Sequence, residues 1–217
     1  MCGIVAYIGK KPAQQLLLEG LKRMEYRGYD SAGIAMLQGE GLRITKAVGR
    51  VSKLEAKIQE DGDFIGCVGI AHTRWATHGK VTLANAHPHR DANHNISLVH
   101  NGIIENYASL RTLLKERGHE FHTETDTEVL GILISHFYDP ENGLDLEKSV
   151  QAALREVRGA YAIAVICANE PEVMVCARKG SPLLVGIGSD EYIVASDPAA
   201  IVAHTSTAVT LDDYSVI

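Results

Sequence analysis

The sequence predicts an α+β fold in which two apolar sheets stack face to face and carry helices on their outer sides. Strand-like runs occur in clusters, helical patterns are concentrated in the middle of the chain, and the two do not alternate regularly. The lack of alternation disfavours a doubly wound parallel sheet. The 217 residues, 46% of them hydrophobic and 22% charged, have an ordinary globular composition and suit a single domain at residues 1–217.

The first part of the chain is interpreted from apolar periodicity and turn residues. Pro12 is tolerated at a helix start, and the apolar positions after it fall on one helical face. In order, we expect a strand at 2–9, a helix from Pro12 to Met24, a loop at 26–31, a hairpin around Gly39-Glu40-Gly41, a helix at 51–58 and a buried strand at 66–73.

Residues 74–95 form a long stretch rich in His, Asn, Thr and Gly, without apolar periodicity. Loops of this length inside a compact domain are uncommon and are usually functional. After this stretch we expect a strand at 96–100 ending at Asn101-Gly102, a helix near 106–117, a helix behind the capping-box spacing of Thr125 and Glu128, a helix from Asp145 to about Gly159, four strands and a short helix at Asp197-Pro198.

Charge and hydropathy disfavour several classes of function. Lys and Arg number 21 against 27 Asp and Glu, giving net charge −6, whereas a nucleic-acid surface would need a basic excess. No apolar run approaches the roughly 20 residues that span a bilayer. The start, MCGIVAYIGKK, has its lysines after the apolar stretch, which is the wrong order for a signal peptide. We therefore expect a cytoplasmic protein with no nucleic-acid or membrane partner.

Four cysteines are present, and three of them lie in apolar runs where buried free thiols of a reduced cytoplasm are expected: Cys67, Cys167 and Cys176. The chain stops at LDDYSVI, within strand-like sequence, which suggests a domain edge in a longer protein.

Cys2 differs from the other cysteines because of its place behind Met1. If Met1 is removed, the thiol of Cys2 and its own α-amine share one residue, and a free α-amine has a pKa of about 7.7–8.0. A nucleophile with an adjacent base is the minimal requirement for covalent acyl transfer. Gly3 leaves the chain free to bend there. Taken alone the pattern is weak, since a small second residue also simply permits removal of Met1.

Five further motifs strengthen that interpretation: YRGYDSAG (26–33), AHTRWATHG (71–79), NAHPH (85–89), HNGIIEN (100–106) and TETDTE (123–128). In this order they resemble the glutaminase (glutamine amidotransferase type 2) domain of the glutamine–fructose-6-phosphate aminotransferases, which are amino-terminal-nucleophile hydrolases. The resemblance covers essentially the whole chain. It implies a four-layer αββα sandwich of two mainly antiparallel sheets.

The resemblance also implies an activity. L-Glutamine would be hydrolysed through a Cys2 thioester, and the ammonia would serve glucosamine 6-phosphate synthesis from fructose 6-phosphate in the full-length enzyme. The implied partners are L-glutamine and a downstream isomerase domain, absent from this chain, within a homodimer. No cofactor and no metal are implied.

Among the catalytic residues, the resemblance assigns Asn101 and Gly102 to the oxyanion hole, where neutral donors meet developing negative charge. An Asn-Gly turn is the alternative, and the two are compatible. Arg27 is implied to orient the chain terminus beside Cys2; a structural ion pair is the alternative.

Substrate binding needs a cation for the α-carboxylate of glutamine and an anion for its α-ammonium. The resemblance assigns these roles to Arg74 and Asp126, with Thr77 and His78 at the carboxylate end. A bidentate guanidinium suits the first role. A solvated loop charge at Arg74 and a helix-start carboxylate at Asp126 are the alternatives.

Trp75, the single tryptophan, and His87 complete the implied substrate-binding set. By the resemblance the Trp75 loop closes over glutamine and gates the ammonia route; the alternative is a hydrophobic anchor for the loop. Histidines crowd this region, but His87-x-His89 is not a zinc spacing. We expect these histidines to make loop hydrogen bonds rather than bind metal.

Two other functions remain open. The chain could be the glutaminase domain of a related enzyme, such as amidophosphoribosyltransferase or asparagine synthetase, or a non-catalytic glutamine-sensing module whose cysteine is never unmasked. Release of ammonia or glutamate separates the sensing module from the enzymes, and the downstream domain separates the enzymes from each other.

Overall fold

The computed structural model describes residues 2–39, 41–76 and 79–217. The helices of these residues are α1 Ala13–Met24, α2 Val51–Asp61, α3 Tyr107–Glu116, α4 Asp126–Phe137 and α5 Leu146–Glu156. The strands are β1 Gly3–Ile8, β2 Ser31–Gln38, β3 Gly41–Val48, β4 Val68–Arg74, β5 His89–Arg90, β6 Ile96–Ile104, β7 Gly159–Cys167, β8 Glu170–Lys179, β9 Leu184–Ile187, β10 Tyr192–Ala195 and β11 Ala208–Thr210. Four residues that carry expectations lie outside the described ranges: Met1, Glu40, Thr77 and His78.

The strands form two antiparallel sheets. Sheet 1 has seven strands in the order β11-β9-β10-β1-β4-β2-β3, and sheet 2 has four in the order β5-β6-β7-β8. In sheet 1, β1 lies between β10 and β4, with Gly3 opposite Thr73 and Ile4 opposite His72. This register places Cys2, the residue before β1, at the carboxyl end of β4.

Strand β1 shows how one segment serves two layers, because successive side chains point to opposite faces of a sheet. Val5 and Tyr7 are fully buried in the cluster beneath α1 and α2. Ile4 and Ala6 pack in the cluster between the sheets, with residues of sheet 2 such as Val99. Each such side chain contributes about 1.5–3 kcal/mol by leaving water when it is as large as valine or isoleucine.

Helices α3, α4 and α5 cover the outer face of sheet 2. Leu130 and Leu133 of α4 and Val150 of α5 pack on Ile163 and Val165 of β7 in one buried cluster. The layers are therefore α1–α2, sheet 1, sheet 2 and α3–α5, so the αββα sandwich is confirmed.

Some local expectations were wrong. Asn101-Gly102 is not a turn, because β6 continues through both residues to Ile104. The stretch at 74–95 contains the short strand β5. At Asp197-Pro198 the chain forms only a 3-10 turn, at Pro198–Ala200.

The capping box at α4 is half formed. Thr125 Oγ1 accepts the N–H of Glu128 at 3.3 Å, as expected for a helix start. The Glu128 carboxylate instead accepts the N–H groups of His122 and Thr123 at 2.7 and 2.9 Å.

None of the helices in the described part of the chain combines the length and the apolar composition that a membrane span requires.

Candidate functional site

The Cys2 thiol lies at the carboxyl end of β4, half-buried beside the Trp75 backbone. Its Sγ accepts the N–H of Trp75 at 3.2 Å and lies 3.4 Å from the Trp75 carbonyl. Burial raises the pKa of the Cys2 thiol above its usual value, and the Trp75 N–H opposes this only in part. The thiol is therefore mostly protonated near neutral pH and needs a base to become a nucleophile.

Asp30, whose role was not singled out from the sequence, holds by hydrogen bonds the backbone at residues 74–76, which faces Cys2. Its N–H donates to the Arg74 carbonyl at 2.7 Å, and its Oδ2 accepts the N–H of Ala76. Its Oδ1 lies 3.9 Å from the Arg74 guanidinium. The acidic residue in YRGYDS was the available signal, since a buried loop end needs acceptors for its N–H groups.

Asn101 lies beside the nucleophile. Its Nδ2 donates to the Cys2 carbonyl at 3.3 Å, and its Oδ1 is 2.9 Å from Nε2 of His72. His72 belongs to β4 and Asn101 to β6, so the contact joins the two sheets at the site. A carboxamide held on both sides can present its second N–H in a fixed direction.

Gly102 follows on β6, and the ladder determines where its N–H points. Glu105 N donates to Arg158 O at 2.9 Å, and hydrogen-bonded pairs alternate along an antiparallel ladder. Gly102, opposite Tyr161 and three residues from Glu105, therefore belongs to a non-hydrogen-bonded pair. Its N–H is directed away from β7.

The neighbours of Gly102 on the same edge support this direction. His100 N donates to Nδ1 of His87 at 3.4 Å, and Ile104 N donates to Oδ2 of Asp126 at 2.8 Å. His87 and Asp126 both line one cavity, and Gly102 lies between their two donors. Gly102 has φ +133°, and a Cβ there would lie 2.1 Å from the Ala160 carbonyl oxygen, so only glycine fits.

Arg74 and Asp126 line the same cavity but belong to different elements, β4 and α4. Arg74 ends β4, is buried, and donates from Nη1 to the Lys80 carbonyl at 3.3 Å. Asp126 is the first residue of α4, where the helix dipole favours a negative charge. Oδ2 accepts the Ile104 N–H, and among the described residues no hydrogen bond engages Oδ1 of Asp126, which is the oxygen that a ligand could use.

The cavity at Cys2 is small, about 40 Å³, which is room for about three water molecules. Its walls comprise Cys2, Arg74, Trp75, His87, His100, Gly102, Thr125, Asp126 and Thr127. Trp75 is 51% exposed, and its ring lies on Gly28, where a Cβ would be 2.2 Å from the indole. A larger cavity of about 740 Å³ borders Lys46 and lacks Cys2, Arg74 and Asp126. Chemistry, not size, therefore identifies the site.

Four buried histidines form a cluster at the cavity, of which two line its wall and two do not: His87 and His100, and His72 and His89 respectively. Burial lowers the pKa of all four, that of His72 to about 3. They are hydrogen-bonded, for example His100 Nδ1 to Thr127 Oγ1 at 3.0 Å and His89 Nε2 to Thr125 Oγ1 at 3.2 Å. Three of them stand on strands rather than in loops. Within the described ranges, no group of three or more His, Cys, Asp or Glu side chains could hold a metal ion.

Arg27 is not among the walls described for this cavity. Its Nη1 donates to the Ser196 carbonyl and to Asp197 Oδ2, both at 3.2 Å. Ser196 Oγ accepts the N–H of Ile4 at 2.9 Å, and Ser196 N donates to the Ile4 carbonyl at 3.1 Å. Arg27 thus supports the start of β1, two residues beyond Cys2, through Ser196, which sequence reasoning did not single out.

Asn85 ties the segment after residue 78 to the turn before α4. Its Nδ2 donates to the Lys80 carbonyl and to Glu124 Oε2, each at 3.0 Å, and its Oδ1 accepts the Glu124 N–H at 3.0 Å. The motifs at 71–79, 85–89 and 123–128 therefore meet in space. Thr77 and His78 of the first motif are outside the described residues.

Comparison with known proteins agrees with this geometry. Residues 59–217 match the family model described as glutamine amidotransferase domain. The chain is 50% identical to a glutamine–fructose-6-phosphate aminotransferase (isomerizing) of Clostridium tetani and 52% identical to one of Bacteroides thetaiotaomicron. Each match covers 100% of this chain and 35% of the relative, so the chain spans about a third of those proteins.

Solved structures give the same answer. The glutamine phosphoribosylpyrophosphate amidotransferase from B. subtilis matches with TM-score 0.78 and 30% identity, over 97% of this chain and 44% of that one. An allosteric regulatory enzyme of purine biosynthesis matches with TM-score 0.83 and 29% identity, over 98% and 45%. The amino-terminal-nucleophile fold is thereby confirmed, and the chain belongs to the glutamine amidotransferase domain family.

Proposed function

We propose that this chain is the glutaminase domain of a glutamine–fructose-6-phosphate aminotransferase and hydrolyses L-glutamine through a thioester on Cys2. The observation that carries the proposal is the meeting of Cys2, Gly102, Arg74 and Asp126 around one cavity. The Asn101 carboxamide joins them through its hydrogen bond to the Cys2 carbonyl. A nucleophile, two neutral donors, a cation and an anion are the groups that glutamine hydrolysis needs.

Removal of Met1 is a precondition of the reaction, because it frees the α-amine of Cys2. This amine, with a pKa of about 7.7–8.0, accepts the thiol proton. The sulfur attacks the side-chain carbonyl carbon of glutamine, a C–S bond forms, and the C–N bond breaks as the amine returns its proton to the departing ammonia. Water then attacks the thioester carbon as the α-amine takes a proton from it. The C–S bond breaks, the amine returns the proton to the sulfur, and glutamate leaves.

Asn101 and Gly102 stabilise the tetrahedral intermediates. The carbonyl oxygen gains negative charge when sulfur or water adds, and two neutral N–H donors can meet that charge. Removing one such donor costs about 2.7–4 kcal/mol of transition-state stabilisation. The direction of the Gly102 N–H, away from β7, supports this role.

Arg74 and Asp126 bind the two charges of the amino-acid backbone, the α-carboxylate and the α-ammonium respectively. Thr77 and His78 assist at the carboxylate end, and His87 lines the cavity wall. The ammonium assignment is supported by Oδ1 of Asp126, which no described residue engages in a hydrogen bond. Arg27 orients the chain terminus by holding the strand that begins beside Cys2.

Trp75 forms one wall of a cavity too small for glutamine, so substrate entry requires Trp75 to move. In our proposal the Trp75 loop closes again over bound glutamine, excludes water and controls the route by which ammonia leaves.

In the longer protein, ammonia would pass to a downstream isomerase domain that converts fructose 6-phosphate to glucosamine 6-phosphate, within a homodimer. The names of the relatives and the third of their length that the chain spans support this part. The reaction needs reduced Cys2, which is why we propose the cytoplasm as its location.

Two alternatives are less well supported. The first is the glutaminase domain of another amidotransferase, which the solved relatives represent at about 30% identity rather than 50%. The second is a glutamine-sensing module, which would have no need of an Asn101 amide fixed beside a thiol.

The test combines intact mass with a glutaminase assay. Active protein should have lost the mass of one methionine, and glutamate release should follow the trimmed fraction. Cys2→Ala should abolish release yet keep glutamine binding, whereas Cys67→Ala, which removes another half-buried free thiol, should remain active. Full activity from protein that retains Met1, or from Cys2→Ala, would refute the mechanism.

A further inference from the structure

The amide of Asn101 is held between two groups of opposite hydrogen-bonding character. On one side lies the carbonyl oxygen of Cys2, 3.3 Å from Nδ2, and on the other Nε2 of His72, 2.9 Å from Oδ1. A carbonyl oxygen only accepts hydrogen bonds, so the NH₂ group of Asn101 must face Cys2. Its oxygen must then face His72.

The protonation of His72 follows from this arrangement. Because Asn101 Oδ1 only accepts, Nε2 of His72 has to carry the proton. His72 is 1% exposed, and its ring stacks on His87 with centroids 4.1 Å apart. Burial keeps the ring neutral by lowering its pKa to about 3, and the hydrogen bond to Asn101 opposes this effect only in part. A single neutral tautomer is therefore maintained across the physiological pH range.

We propose that His72 is a positioning residue for glutamine hydrolysis: its Nε2–H fixes the Asn101 carboxamide so that an N–H, and not the oxygen, faces the reacting carbonyl. This inference rests on the proposed glutaminase function. One N–H of Asn101 Nδ2 engages Cys2 O, and the other is left for the oxyanion. His72 is not among the walls described for the cavity, so it acts through Asn101.

The alternative orientation of Asn101 shows why the contact matters. If the amide rotated by 180°, its oxygen would face both the Cys2 carbonyl and the developing oxyanion, which are repulsive contacts. Nothing in a lone carboxamide prevents the rotation, since its two ends have nearly the same shape. The His72 donor penalises the rotated form, because Nε2–H would then face an NH₂ group.

The experiment compares three variants by steady-state kinetics and thermal unfolding. His72→Phe keeps a ring that can stack on His87 but has no donor. His72→Gln keeps an N–H near the position of Nε2. His89→Phe is the packing control, because His89 is equally buried in the same cluster and bonds to Thr125 instead.

The expected result is a loss in kcat of about 10- to 100-fold for His72→Phe with KM changed less than about threefold, since a misplaced donor weakens the transition state and not glutamine binding. His72→Gln should recover most of this loss, and His89→Phe should keep kcat within about threefold. In an Asn101→Ala background, His72→Phe should have no further effect, because the two residues act as one unit.

Two outcomes overturn the proposal. One is a folded His72→Phe that keeps its kcat while Asn101→Ala loses activity. The other is a His72→Phe loss that is undiminished in the Asn101→Ala background. A different result, full activity of both Asn101→Ala and Cys2→Ala, would refute the glutaminase mechanism itself and so is distinguishable.

Discussion

The Asp126 carboxylate provides the most direct test of substrate recognition. In Asp126→Asn the side chain keeps its shape and an oxygen that accepts the Ile104 N–H, so the contact at 2.8 Å survives. What disappears is the charge at the oxygen that faces the cavity. Removing one partner of a desolvated charge pair costs about 2–5 kcal/mol. Asp126 is only half-buried, which places the expected loss at about 2–3 kcal/mol.

This free energy corresponds to a decrease in kcat/KM for glutamine of about 30- to 150-fold. The assay measures ammonia release from glutamine by the wild type and the variant, and repeats the measurement with 4-carbamoylbutanoate, which is glutamine without its α-amine. The wild type should lose activity on this substrate, and the variant should lose little more. Asp145→Asn, a matched change at the start of α5, controls for the helix-dipole contribution of about 0.3–1 kcal/mol. An equal penalty on both substrates would show that Asp126 does not bind the ammonium.

Three further predictions concern turnover, strain and pH. Asn101→Ala should lower kcat about 10²- to 10³-fold with little change in KM, and an equal loss in glutamine affinity would reassign Asn101 to ground-state binding. Gly102→Ala should lower the midpoint of thermal unfolding by more than Gly62→Ala, since both have positive φ but only Gly102 would meet a carbonyl at 2.1 Å; equal midpoints would contradict this. Stability should be greatest above pH 6.5 and fall as the pH drops, because the unfolded chain binds protons that the buried histidines resist. For His72, whose pKa burial lowers to about 3, the free energy of unfolding should fall by about 1.4 kcal/mol per pH unit, and the lowered pKa values of His87, His89 and His100 act in the same direction. The midpoints of urea unfolding between about pH 7.5 and pH 5 measure this dependence. His89→Gln should reduce the slope of the unfolding free energy against pH by about one proton. A midpoint that does not change with pH would disprove the prediction.

Elements defined by local periodicity could be predicted from the sequence. The α1 face and the β2–β3 hairpin depend on residues close in the chain, and both formed nearly as expected. Strand β5 could not be predicted, because its two residues carry no periodic pattern and pair only with β6, which follows a loop. Asn101-Gly102 read as a turn because its local signal is strong. Pairing with β7, some sixty positions on, overrides that signal.

The site could be predicted only through the combination of motifs. No spacing rule brings His72 to Asn101 or Arg27 to Ser196, because each contact joins segments that are far apart in the chain. Such residues become informative once the register of β1, β4 and β6 is known. The position of Cys2 behind Met1, in contrast, is enough by itself to suggest a nucleophile that uses its own α-amine as the base.

The alternation along β6 also bears on which amino acid can react. Gly102 and Ile104 direct their N–H groups to the same edge of the sheet. In our proposal the first faces the carbonyl that Cys2 attacks, and the second holds the carboxylate that binds the ammonium. Two residues of extended chain measure about 6.8 Å, and the covalent geometry of the backbone sets this distance. If the proposed assignments hold, asparagine, which is shorter by one methylene, does not reach both groups at once, and substitution of side chains does not shorten the distance between the two N–H groups. We therefore expect kcat/KM for asparagine to stay far below that for glutamine even when the cavity walls are enlarged, and comparable rates in such variants would show that the walls, not the strand, select the substrate.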